Sequence, residues 1–119
     1  MNTRKKGAFY EDVACRHLQQ HGIIILERNF RCRIGEIDII GKKNDCIIFF
    51  EVKYRHSDYN GAALAAVGFS KQKRICRCAD VYCMLHPWIK NIRYDVIGIT
   101  DTKLEWIENA FSHIGYSWN

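Results

Sequence analysis

An unbroken apolar run, Cys46 to Phe50, predicts a strand that is buried on both faces. The run ends abruptly in Glu51-Val52-Lys53, which places a carboxylate and an ammonium group where the core is expected. Charges in such a position are paired, bound to a metal or functional. Glu36 and Asp38 stand on the strand just before this one, so the segment 35–55 is the part of the chain that is most informative about function.

Hydrophobic spacing also predicts the other elements. Two helices are expected, at 8–21, ending near Gly22, and at 71–86, with Ser70 as the N-cap and Pro87 after the end. Five strands are expected, at 23–30, 36–41, 46–54, 93–100 and 103–110, with a loop at 56–69 and a frayed basic leader at 1–7. The order α-β-β-β-α-β-β predicts an α/β fold, a mixed sheet of about five strands flanked by helices.

The number of residues in the turn at Lys42–Asp45 decides on which face of the sheet the charged side chains lie. An even-numbered loop places Asp38 opposite Phe49 and projects Asp38, Glu51 and Lys53 from one face of the sheet, whereas a three-residue loop would turn one strand over.

Glu11 shares the apolar face of the first helix with Ala14, Cys15 and Leu18. It is either a first-turn acid that favours the helix dipole or a further member of the acidic group.

Composition narrows the class of protein. A chain of 119 residues predicts a single domain, 1–119, and the net charge of +5 leans towards polyanionic partners. The sequence has no apolar stretch of membrane-spanning length and no apolar core of a secretion signal. These features predict a cytoplasmic protein without a membrane partner, whose six cysteines are reduced. Cys76, Cys78, Cys83 and His86 have poor spacing for zinc on one helix.

Two carboxylates that project together repel each other by several kcal/mol at a separation of about 4 Å. A shared proton, a cation or the neighbouring Lys53 must offset this repulsion. Such oxygen pairs suit Mg²⁺ or Mn²⁺, and Lys53 could then orient a water molecule towards a phosphate. The alternative is an ion cluster without chemistry, in which Lys53 only pairs with Glu51 at a strand end.

Asp38 followed thirteen residues later by Glu51-Val52-Lys53 resembles the PD-(D/E)xK signature of restriction-endonuclease-like nucleases. A wider set of motifs resembles the YraN-type bacterial family, a distant relative of archaeal Holliday-junction resolvases. These motifs are GEIDII at 35–40, FFEVKYR at 49–55, AVGFSKQKR at 66–74 and RYDVIGI at 93–99. The resemblance implies a restriction-endonuclease-like fold. The chain departs from the family pattern at Tyr10, Ala63 and Ala65.

The resemblance also implies roles for individual residues. Asp38, Glu51 and the backbone carbonyl of Val52 would bind the metal, and Lys53 would be the catalytic lysine. Glu11 would complete the acidic site, and Gln72 would line it. Basic residues on both sides of the site are expected to contact DNA: Arg28, Arg31, Arg33, Arg55, Lys71, Lys73, Arg74 and Arg77.

The function expected from these features is a Mg²⁺- or Mn²⁺-dependent endonuclease that hydrolyses phosphodiesters in DNA, with branched DNA suggested by the resolvase resemblance. The alternatives are a non-catalytic nucleic-acid-binding module on the same fold and a structural or partner protein. The resolvase analogy implies a homodimer, since two active sites are needed. No feature indicates a small-molecule substrate.

Overall fold

The computed structural model describes residues 3–56 and 67–115. The elements follow the predicted order, which confirms the α/β fold with a five-stranded sheet. Two helices, α1 and α2, and five strands, β1 to β5, have these bounds in chain order: α1 Thr3–Gln20, β1 Ile24–Cys32, β2 Gly35–Lys43, β3 Cys46–Tyr54, α2 Phe69–Leu85, β4 Asn91–Ile99 and β5 Leu104–Phe111. Most of the loop predicted at 56–69 lies outside the described residues.

Two predictions about helix starts are wrong. Helix α1 begins at Thr3, so residues 3–7 of the predicted frayed leader are helical. Helix α2 begins at Phe69 with Gly68 as an extended N-cap residue and without a side-chain cap, so Ser70 lies inside the helix. At the other end of α1, Gly22 adopts a φ of 86°, the left-handed conformation with which glycine ends many helices.

The strands lie in the order β1-β2-β3-β4-β5, with β3 and β4 parallel and the other neighbours antiparallel. The central strand β3 is buried on both sides, as its apolar run predicts. Ile47 and Phe49 pack in a core cluster with α2, while Ile48 and Phe50 pack in a second cluster with α1. No helix in the described part of the chain has the length and apolar character of a membrane span.

The turn between β2 and β3 contains two residues, because Lys43 pairs directly with Cys46. This confirms an even-numbered turn. The predicted pairing is wrong, however, because Ile40 and not Asp38 lies opposite Phe49. That pairing required a turn centred on Lys43 and Asn44, whereas the observed turn, Asn44 and Asp45, shifts the register by two residues.

The regular alternation of side chains between the two faces of β2 is interrupted at Asp38. Ile37 packs in the α2 cluster and Ile39 in the α1 cluster, although residues two apart in a regular strand share a face. On β1, Arg28 pairs with Ile39 and Phe30 with Ile37, so Asn29 stands level with Asp38. Asn29 has a φ of 56°, and asparagine is among the few residues that tolerate this left-handed conformation. The irregularity therefore re-aims Asp38 relative to an ideal strand.

A disulfide between Cys32 and Cys78 ties the end of β1 to α2, with Cα atoms 5.6 Å apart. The prediction of reduced cysteines is therefore wrong for this pair, whose proximity depends on long-range folding. The other four cysteines are unpaired: Cys15, Cys46, Cys76 and Cys83.

We predict that Cys32→Ser lowers the free energy of unfolding by about 2–4 kcal/mol, because the bridge closes a long loop in the unfolded chain. The sequence separation it spans is 46 residues. Urea unfolding of the oxidised protein measures the change, and Cys46→Ser, at an unpaired half-buried cysteine, is the matched control. Equal stability of the two variants, or six alkylated cysteines in the denatured, unreduced protein, would contradict the bridge.

Candidate active site

The β2–β3 ladder ends where the acidic residues begin. Its last pair is Ile39 with Phe50. Beyond that pair, the backbone N–H of Val52 donates a hydrogen bond of 2.8 Å to Oδ2 of Asp38. The carboxylate thus accepts the hydrogen bond that a backbone carbonyl of a paired strand would otherwise accept. A buried N–H without a partner would cost folding free energy. Asp38 is therefore held at the point where the two strands separate.

Glu51 reaches this point from the other side of the sheet. Its side chain is only 4% exposed, and Oε2 contacts Nζ of Lys71 on α2. Asp38 instead lines a cavity with Val52 and residues of α1. The prediction that Asp38, Glu51 and Lys53 project from one face is therefore wrong for Asp38. The Asp38 carboxyl nevertheless lies close enough to Glu51 for the charge of Glu51 to raise its pKa.

The pKa of Asp38 is raised to about 9. Burial is the largest cause, followed by the negative charge of Glu51 and the hydrogen bond with its carboxyl. The hydrogen bond from Val52 N–H works in the opposite direction, because it favours the ionised form. The pair therefore holds a proton at neutral pH, and a cation between the carboxyls would displace it.

The pKa of Lys53 is lowered, first by burial and then by the positive charges of Arg55 and Lys71, with Glu51 opposing the shift. A lowered pKa increases the fraction of the lysine that is unprotonated near neutral pH, and only that form can accept a proton. Lys53 thus has the electrostatic setting of a group that exchanges protons.

Glu11 lies beside Asp38 and not in the first turn of its helix. Both line a cavity of about 240 Å³ at the junction of α1 and the sheet. Because α1 begins at Thr3, the first-turn interpretation of Glu11 is wrong. Its side chain is 15% exposed, and its Oε1 is 3.5 Å from Nη2 of Arg28. Arg28 also donates a 2.7 Å hydrogen bond to Asp12, so this cation balances acids on α1.

Gln72 contacts the chain segment that precedes α2. Its Nε2 donates a 2.8 Å hydrogen bond to the carbonyl of Val67, which anchors the chain just before α2.

The other predicted DNA contacts differ in their surroundings. Arg31 pairs with Glu36 at 2.9 Å, and Arg77 with Asp80 at 3.2 Å. Arg33, Arg55, Lys73 and Arg74 are exposed.

Several members of the site carry no signal in the sequence. Lys71 was expected to contact DNA, yet it touches Glu51. Tyr10 and Tyr54 stack with ring centroids 4.0 Å apart on the wall of the Glu11–Asp38 cavity. Tyr54 also donates a 2.6 Å hydrogen bond to Asp101. The departure at Tyr10 is thus matched by an aromatic partner on β3.

The donor set fits a cation with few protein ligands. Within residues 3–56 and 67–115, no three His, Cys, Asp or Glu side chains converge as a complete metal site. Asp38 and Glu51 supply two adjacent carboxyls, and Mg²⁺ is commonly held by one or two carboxylates with water completing its shell. The chemistry of these donors fits Mg²⁺ or Mn²⁺ better than zinc.

Comparison with known proteins identifies the family. A family model described as "Uncharacterised protein family UPF0102" matches residues 10–99. The chain belongs to this family. It is 39% identical over 104 residues to a UPF0102 protein of Herminiimonas arsenicoxydans, covering 87% of this chain and 84% of the relative. It is 40% identical over 109 residues to one of Nitrosomonas europaea, covering 89% and 92%.

A third relative matches over nearly its whole length. The UPF0102 protein of Lachnoclostridium phytofermentans is 37% identical over 117 residues, covering 97% of this chain and 99% of the relative. These matches confirm the YraN-type resemblance. The names state no activity, so the nuclease superfamily and its chemistry stay predictions.

We predict that Asp38→Asn stabilises the protein at high pH but not at low pH. The folded-state pKa of Asp38, about 9, exceeds the ordinary value of 3.8 that the unfolded chain has. Between these values the folded state binds more protons than the unfolded chain, so wild-type stability falls as pH rises. Thermal unfolding from about pH 5 to 9 should show the variant's advantage growing with pH. Asp45→Asn, at an exposed acid, is the control, and a difference independent of pH would contradict the raised pKa.

Proposed function

We propose that this protein is a Mg²⁺- or Mn²⁺-dependent endonuclease of the PD-(D/E)xK type that acts on DNA. The observation that carries the proposal is the meeting of two carboxyls, Asp38 and Glu51, at the point where β2 and β3 separate. Burial and mutual repulsion make this pair costly to ionise without a cation. The fold order and the family motifs are consistent with the proposal.

Each residue of the site has a chemical task in phosphodiester hydrolysis. A bound divalent cation would polarise a phosphoryl oxygen and lower the pKa of a coordinated water. Asp38 and Glu51 would hold that cation, with the carbonyl of Val52 as a further oxygen donor. Lys53, whose pKa is lowered, would orient the attacking water and take its proton. Lys71, which contacts Glu51, would offset negative charge that develops on the phosphate.

Glu11 and Gln72 would act around this centre. Glu11 lies in the cavity with Asp38 and would adjust the charge of the site through its contact with Arg28. Gln72 would position the start of α2, and with it Lys71, through its bond to Val67. The exposed cations nearby would contact DNA phosphates.

We predict that the wild type cleaves DNA only when Mg²⁺ or Mn²⁺ is present, and that Asp38→Asn and Lys53→Met each lower the rate at least about a hundredfold. Assays would use linear, flapped and four-way DNA, with gel analysis of the products. Asp45→Asn, in the β2–β3 turn, and Lys43→Met, at the exposed end of β2, are matched controls. Cleavage by wild type and Asp38→Asn at the same rate would contradict the proposal, and salt-sensitive binding without cleavage would favour the non-catalytic alternative.

A further inference from the structure

A second cavity, of about 260 Å³, lies between the β1–β2 turn and the first turns of α2. It is separate from the Asp38 cavity and shares no lining residue with it. Its lining consists of three cationic residues, one hydroxyl residue and one apolar residue. In that order they are Lys73, Arg74 and Arg77, then Ser70, then Ile34. Lysine and arginine side chains around a small cavity favour an anion, and tetrahedral phosphate can accept hydrogen bonds from several such donors at once.

The charge of this cavity is only partly balanced by the protein. Asp80 lies 3.2 Å from Nε of Arg77 and also contacts His113. Within the described part of the chain, neither Lys73 nor Arg74 forms an ion pair, and both are exposed. Two cations are therefore available to an incoming anion.

The two walls of the cavity are held together by close packing and by a covalent bond. A Cβ atom placed on Gly35 would meet Cβ of Arg74 at 3.3 Å and Sγ of Cys78 at 3.6 Å, so the start of β2 approaches α2 closely. The disulfide from Cys32 to Cys78 fixes the same two segments. The cavity is consequently preformed, which lowers the cost of binding a ligand.

One apolar side chain on the cavity wall, and a second beside the lining residue Ser70, indicate which kind of phosphate would bind. Ile34 is 49% exposed on the wall, and Phe69 is 66% exposed at the start of α2. Nζ of Lys73 lies 5.8 Å from the centroid of the Phe69 ring. A free, fully hydrated phosphate gains nothing from such neighbours, whereas a nucleotide brings a sugar and a base. Cations beside an exposed aromatic ring are typical of surfaces that bind single-stranded nucleic acid.

We propose that this cavity binds a phosphodiester of a single-stranded nucleic-acid segment, with a neighbouring base stacked on Phe69. The proposal rests on the proposed function, since α2 carries both a wall of this cavity and Lys71, which contacts Glu51. It specifies a substrate that has a single-stranded region, as flapped or branched DNA does.

Binding can be tested separately from cleavage. Fluorescence anisotropy would measure the affinity of a labelled oligothymidylate and of a duplex for the full chain carrying Asp38→Asn, without divalent metal, over a range of salt concentrations. In this background, Lys73→Gln and Arg74→Gln should each lower the salt slope for the single strand by about 0.7. Phe69→Leu should weaken single-strand binding about fivefold or more and duplex binding much less.

The chain offers a matched control for each change. Lys43→Gln removes an exposed charge at the β2–β3 turn. Trp88→Leu removes an exposed ring that also has a lysine over it, since Nζ of Lys42 lies 5.7 Å from its centroid. Both controls should bind the single strand as the Asp38→Asn parent does.

Three results would overturn the proposal. The first is that the cavity variants bind the single strand no more weakly than their controls. The second is that Phe69→Leu weakens duplex and single-strand binding equally. The third is that inorganic phosphate, at matched ionic strength, displaces the oligonucleotide as well as a thymidine dinucleotide does, which would mark a site for free phosphate.

Cavity-dependent binding by a protein that never cleaves DNA would support this proposal and reject the proposed function, whereas cleavage without cavity dependence would do the reverse.

Discussion

The structure depends on one hydrogen bond, from the backbone N–H of Val52 to the carboxyl of Asp38. It stands where the β2–β3 ladder has ended at Ile39 and Phe50. A side chain of one strand thus completes the bonding of the other at the point where they separate. The same bond holds Asp38 next to Glu51. One carboxyl therefore both satisfies a buried backbone N–H and supplies an acidic group to the site.

The cost of this arrangement explains the composition of its surroundings. Burial and the mutual repulsion of the two carboxyls raise the pKa of Asp38. Lys71, which contacts Glu51, and Arg28, which lies near Glu11, supply compensating positive charge. Without a divalent cation, a proton and these side chains balance the charge. A divalent cation would replace the proton, so the negative charge of the carboxyls can be compensated either by a proton or by a metal ion.

The sequence predicts much of the fold because its local signals agree with the tertiary structure. The apolar run gives β3 its observed bounds, Cys46–Tyr54, and helical spacing places Glu11 on the inner side of α1. The predicted pairing of Asp38 with Phe49 failed because an even-numbered turn fixes which face each residue lies on but not the position at which the turn is centred. The change of facing at Asp38 could not be foreseen, since it depends on the left-handed conformation of Asn29 on a neighbouring strand.

Long-range contacts were the least predictable part of the site. The approach of Lys71 to Glu51 depends on how α2 is rotated against the sheet, and the Cys32–Cys78 bridge depends on the same packing. Neither pair has a spacing in the sequence that distinguishes it from other lysines, acids or cysteines. Helix α2 therefore supplies a residue to the acidic site on one side and a wall of the cation-lined cavity on the other.

Calorimetric titration of the protein with Mn²⁺, in buffers of different ionisation enthalpy, tests the central claim most directly. If Asp38 and Glu51 share a proton that a cation displaces, binding near neutral pH should release about one proton, and the release should vanish as pH passes the Asp38 pKa. Asp38→Asn should abolish the binding, and Asp45→Asn should leave it unchanged. Absence of Mn²⁺ binding to the wild type, or equal binding by wild type and Asp38→Asn, would contradict a metal site at the β2–β3 separation.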